Sequence, residues 1–165
     1  MKKQLFTMSA IVILLLTSNA TTFGQKEYTV AFRTVAGEPS RYITYPGNCE
    51  AGLNSGRNEI TANAIFTLID LNEGVIEDGD SVRIKCGDKH WRASGNSIAL
   101  EGGIVDKATK FKVKRFGNFI MLYTYNRRSF VVAPANGGSL STNFSKIEED
   151  KQLGIFELKF NPAIR

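Results

Sequence analysis

Between Lys107 and Arg115 the chain sets Lys110, Lys112 and Lys114 in alternation with Phe111 and Val113. On an extended strand this period of two sends three ammonium groups to one face, about 7 Å apart along the chain, and turns the apolar pair inward. Such a row suits the sulfates, carboxylates or phosphates of an anionic polymer. It equally suits a solvated outer face whose charge discourages edge pairing. Further along, Tyr125 is followed by Arg127 and Arg128 in a turn beginning at Asn126, joining a flat ring to guanidinium donors that match hydroxyl or carboxylate groups. Tyr125, Arg127, Arg128, Lys110, Lys112 and Lys114 are the candidate ligand-binding residues. Tyr45 is a second ring expected near a strand end, whereas Trp91 is expected in the core, at one slot with Tyr42 and Phe130.

Chemistry on covalent bonds has little support. A nucleophile or metal needs a base held beside it, and His90, the only histidine, is accompanied by Asp88 but by no serine or cysteine nucleophile motif. If Trp91 points inward on a short strand, His90 points to water. The acidic clusters Glu77, Asp78, Asp80 and Glu148, Glu149, Asp150 fall in turns, and neither places two carboxylates across a cleft as glycoside hydrolysis requires. Neither supplies the alternating oxygens of a calcium loop. Two cysteines and one distant histidine lack zinc-site spacing. No catalytic residue, metal or cofactor is expected. Cys49 and Cys86 allow one pairing, worth about 3 to 4 kcal/mol by loop entropy if it forms. Sequence leaves open whether the two side chains approach.

The elements that would hold these residues are announced by repetition. Phe66, Phe111 and Phe156 lie 45 residues apart, twice over, each flanked by an alternating apolar pattern. Each copy reads as four short strands bounded by Gly, Asn and Asp turns, over about 26–71, 75–116 and 118–160. Leu53, Leu100 and Leu140 occupy one slot of the third strand. No stretch carries helical periodicity. Short strands of this kind cannot each bury a face alone, so the copies are expected to close on one another as an all-β chain, a β-trefoil of three four-stranded repeats with pseudo-threefold symmetry.

The second copy also resembles the repeat of fascin-like, actin-crosslinking-type β-trefoils. The resemblance lies in the Gly79-Asp80 turn running into the apolar strand to Ile84, Trp91 before a turn, and the closing segment from Ala108 through Thr109 and Phe111 to Val113. That family includes cytoskeletal proteins and secreted bacterial glycan-binding modules, so it implies the fold and leaves the ligand open. The Gln-x-Trp signature of ricin-type trefoil lectins is absent, with Phe66, Phe111 and Phe156 standing where its tryptophan would be.

Residues 1–24 read as a signal peptide: Lys2 and Lys3, a short apolar run from Ala10 to Leu16, then small residues, with cleavage after Ala20 or Gly24. The apolar run is too short for a membrane span. The expectation is a secreted or periplasmic single domain over 25–165. Removing Lys2 and Lys3 takes the formal charge from +5 to +3, a mild basicity that favours anionic partners and is too small to argue for nucleic acid. The expected activity is non-enzymatic binding of a glycan or anionic polysaccharide. The competing expectation is a protein-interaction module, inhibitor or adhesion factor, presenting the long segment from Ala133 to Lys151 to a protein partner. Nothing in the sequence sets an oligomeric state.

Overall fold

Alternation of apolar and polar side chains dictates the elements. In Ser81–Cys86 every second residue, Val82, Ile84 and Cys86, is buried while its neighbours reach the surface. The computed structural model describes residues 25–50, 52–125, 129–143 and 154–164. The expected signal peptide, Arg127, Arg128 and the acidic run from Glu148 to Asp150 lie outside the described residues. The chain is all-β. Its strands are β1 (Lys26–Thr34), β2 (Tyr42–Thr44), β3 (Asn54–Arg57), β4 (Phe66–Asp70), β5 (Ser81–Cys86), β6 (Lys89–Ser94) and β7 (Ser97–Glu101). They continue as β8 (Phe111–Phe116), β9 (Phe119–Thr124), β10 (Phe130–Val132), β11 (Gly138–Ser139), β12 (Ser141–Asn143) and β13 (Phe156–Phe160). Single 3-10 turns at Ala62–Ala64 and Lys107–Thr109 precede β4 and β8.

The pairings close on themselves. β1 pairs with β4, β4 with β5, β5 with β8, β8 with β9, β9 with β13, and β13 returns to β1, all antiparallel. One register recurs: Val30 lies opposite Phe66, Val82 opposite Phe111, and Ile120 opposite Phe156. The three phenylalanines, each no more than 1% exposed, share one apolar cluster with Phe32 and Trp91. The Phe32 ring centroid lies 6.0 Å from that of Phe66, 5.0 Å from that of Trp91 and 6.3 Å from that of Phe156. Burying each such side chain contributes about 1.5–3 kcal/mol, so the repeated aromatic holds the circuit shut from inside.

Register corrects two equivalences drawn from residue type. Tyr42 stands opposite Arg33, His90 opposite Lys85, and Phe130 opposite Tyr123, so Tyr42, His90 and Phe130 share one slot. The inward slot belongs to the next residue, Ile43, Trp91 and Val131, all fully buried. Matching aromatic to aromatic had shifted two copies by one position, and a one-residue shift on a strand exchanges its faces. In the third-strand slot, Ala93 pairs with Ile98, and Leu140 bonds the Leu53 carbonyl at 2.9 Å while Ile98 bonds that of Leu140 at 3.2 Å. Leu53, Ile98 and Leu140 therefore meet, and Leu100 sits opposite Trp91 instead.

Cys49 and Cys86 form a disulfide, with Cα atoms 5.7 Å apart. It ties the loop after β2 to the end of β5, joining the first copy to the second. A bridged pair fits a compartment that permits oxidation. No helix among the described residues is long and apolar enough to cross a membrane.

Candidate functional site

The β8–β9 hairpin sets out the lysine row. Its register runs from Phe111 opposite Thr124 to Phe116 opposite Phe119, closed by a loop of Gly117 and Asn118 in which Gly117 adopts φ 61°. That left-handed value suits a two-residue hairpin turn and favours glycine. Phe111 and Val113 are buried, and Lys112 and Lys114 are exposed on the outer face. Lys112 lies opposite Tyr123 and Lys114 opposite Met121. One step beyond the strand, the Tyr125 amide donates to the Lys110 carbonyl at 3.3 Å, bringing Lys110 beside Tyr125. Lys110 itself closes the preceding 3-10 turn, its amide donating to the Lys107 carbonyl at 3.2 Å.

The turn from Glu77 to Asp80 is stitched against the same strand. The Gly79 amide donates to the Val113 carbonyl and the Val113 amide to the Asp80 carbonyl, both at 2.8 Å. Asp78 Oδ1 accepts from the Arg115 amide at 2.9 Å, and Asp80 Oδ2 from the Glu77 amide at 2.6 Å. The carboxylates of Asp78 and Asp80 are thus engaged with backbone. Gly79 has φ 89°, which lets the turn lie this close to β8.

An open depression of about 480 Å3 lies between turn and hairpin, lined by Asp78, Gly79, Lys112, Lys114, Tyr123 and Tyr125 among others. Lys112 Nζ lies 3.5 Å from the Gly79 carbonyl oxygen, and Lys114 Nζ lies 5.7 Å over the Phe116 ring. Tyr125 is 45% exposed. The Tyr123 ring is backed by Phe130, with centroids 4.0 Å apart at 47°. Two rings, two ammonium groups and a carboxylate on one concave wall offer stacking, charge and hydrogen-bond acceptance together.

Of the predicted residues, the structure brings Lys112, Lys114 and Tyr125 to this wall. Lys110 is partly buried and not among the lining residues, and Arg127 and Arg128 lie outside the described residues. Sequence reading missed Tyr123, although it stands two residues before Tyr125 and so shares its strand face. Tyr45 is less free than expected. It is half-buried, its hydroxyl donates to the Ala62 carbonyl at 3.0 Å, its ring meets that of Phe66 edge-on at 5.4 Å, and burial raises its phenol pKa.

His90 is partly exposed beside Trp91, which is fully buried. Its pKa is lowered by burial first and then by Arg83 and Lys85, with Asp88 opposing. The shift favours its uncharged form. Among the described residues no group of three or more His, Cys, Asp or Glu side chains is gathered to hold a metal ion.

No protein-family model matches the chain, and no curated protein matches it either. Solved structures do. A Caenorhabditis elegans protein of unknown function superposes with TM-score 0.60 at 11% identity, over 86% of this chain and 98% of that one. The SDF2-like protein of Arabidopsis thaliana gives 0.55 at 12% identity, over 82% and 95%. SeviL bound to the asialo-GM1 saccharide gives 0.59 at 12% identity, over 82% and 99%. Likeness at such identities speaks for the fold alone.

Proposed function

We propose that this protein is a secreted, non-enzymatic carbohydrate-binding module built on a fascin-like β-trefoil. The observation that carries the reading is the convergence of Tyr123, Tyr125, Lys112 and Lys114 on one open depression. A pyranose offers an apolar face to a ring and hydroxyls to polar groups around it, and the two lysines add a preference for sulfated or carboxylated sugars. The fold shared with saccharide-bound SeviL supports the ligand class, and the recurring register of Phe66, Phe111 and Phe156 supports the trefoil. The Cys49–Cys86 disulfide and the basic, then apolar, start of the chain support export.

A glycan array probed with the mature protein, followed by titration of any responding sugar, tests the proposal. Binding to anionic glycans is expected, weakened about tenfold or more in Tyr125→Ala. Replacing Lys112 and Lys114 by Gln should lower both the affinity and its salt dependence. Absence of binding to every glycan would overturn the reading.

A further inference from the structure

The second and first copies differ at one matched place. In the second, Arg92 follows the inward Trp91, and Asp106 precedes the 3-10 turn Lys107–Thr109. Arg92 Nη1 donates to Asp106 Oδ1 at 3.1 Å and Nη2 to Oδ2 at 2.8 Å, and Asp106 Oδ1 also accepts from the Ala108 amide at 2.7 Å. The fork ties strand to turn. In the first copy the matching residues are Thr44, after the inward Ile43, and Thr61, before the turn Ala62–Ala64. Thr44 Oγ1 donates instead to the Asn54 carbonyl at 3.2 Å, and the Thr61 side chain makes no cap hydrogen bond.

The space between strand and turn is open there, as a depression of about 460 Å3 lined by Thr44, Tyr45, Asn54, Arg57, Thr61 and Asn63 among others. Its walls are held from behind. The Tyr45 amide donates to the Asn63 carbonyl at 3.0 Å, its hydroxyl to the Ala62 carbonyl at 3.0 Å, and Asn54 Oδ1 accepts from Ser139 Oγ at 3.1 Å. A bulge between β2 and β3 puts Arg57 opposite Tyr42 and Ser55 opposite Ile43, with Gly56 as the extra residue. Bulges re-aim side chains, and the β6–β7 pair is regular across the matching stretch. Arg57 is exposed, has no carboxylate partner among the described residues, and is the one cation on a wall without a carboxylate.

We propose that this depression is a second saccharide subsite, selective for sugars carrying a carboxylate, with Arg57 holding the carboxylate and Asn54 and Asn63 binding ring hydroxyls. The inference rests on the carbohydrate reading and extends it from one subsite to two. A guanidinium fork matches a carboxylate in two parallel hydrogen bonds, and the flanking amides can donate to and accept from hydroxyls. Two subsites on one rigid body would raise avidity for a polymer wherever its span lets both engage.

The test is an amide-resolved NMR titration of the mature protein with glucuronate, glucose and acetate. Saturable shifts at Thr44, Asn54, Arg57 and Asn63 are expected with glucuronate and much weaker ones with glucose. In Arg57→Gln the dissociation constant read from these shifts should rise about tenfold or more. The double change Thr44→Arg with Thr61→Asp should remove them by spanning the space with an ion pair as in the second copy. Shifts confined to Lys112, Tyr123 and Tyr125 would overturn the second subsite and leave the carbohydrate reading standing. Silence at both depressions would overturn the second subsite, with the glycan array still deciding the carbohydrate reading. An equal response to acetate would reduce the place to a simple anion trap and overturn its assignment to sugars.

Discussion

The first and second copies share an interior and diverge at the surface immediately above it. Ile43 and Trp91 occupy the same inward slot, fully buried, yet the next residue outward is Thr44 in one copy and Arg92 in the other. Where Arg92 meets Asp106 an ion pair spans the surface, and where Thr44 and Thr61 stand it is open. The barrel depends on what points in, so the outer layer is free to be structural in one copy and receptive in another.

The comparison can be broken most forcefully from inside. Trp91→Ala should cost about 3–5 kcal/mol and Ile43→Ala about 2–5 kcal/mol, read as lower midpoints in urea denaturation. A loss at Trp91 no larger than that of a surface substitution would mean the two slots are not equivalent.

Exchanging the outer layers comes next. Arg92→Thr with Asp106→Thr should open a depression in the second copy, seen crystallographically as new space beside the Lys107–Thr109 turn, with the fold retained. An unchanged surface there would show that the ion pair does not close it.

A smaller effect belongs to Asp106 alone. Its pKa is lowered, first by the hydrogen bond from Arg92, with the Ala108 amide adding to the effect. A carboxylate depressed in the folded state contributes stability above its unfolded pKa and loses it as pH falls through the folded value. Thermal melting between neutral pH and the acid range should therefore show less loss on acidification in Asp106→Asn than in the parent, whereas Thr61→Ala should track the parent throughout.

The smallest signal is His90, which shares its slot with Tyr42. Burial and the neighbouring Arg83 and Lys85 lower its pKa, so its NMR titration should have a midpoint below 6.5. The unfolded chain then binds more protons in that range, and the His90 contribution to stability falls as pH drops below the unfolded pKa. A midpoint above 6.5 would contradict the surroundings seen for it.

The phenylalanine triplet was legible because its spacing and apolar setting recur, and burial requires both. The outward placement of Lys112 and Lys114 follows from period-two alternation, which carries information about faces, whereas Tyr125 was singled out by its place beside a turn. Slots assigned by residue type alone fared worse: Phe130 was matched to Trp91, although Val131 fills that place and Phe130 backs Tyr123. Tyr123 could have been found from its spacing to Tyr125. Arg57 was missed because its register rests on a bulge at Gly56 that is fixed only by the pairing of β2 with β3.

From the amino-acid order alone came the all-β character, the recurring aromatic and the row of charge, since each follows from local periodicity and from the need to bury apolar side chains. Tertiary structure decided which strand faces which, that Cys49 reaches Cys86, and which surface positions are spanned by an ion pair and which stay open. Those outcomes depend on distances between segments far apart in the chain, and only the closed circuit of pairings sets them.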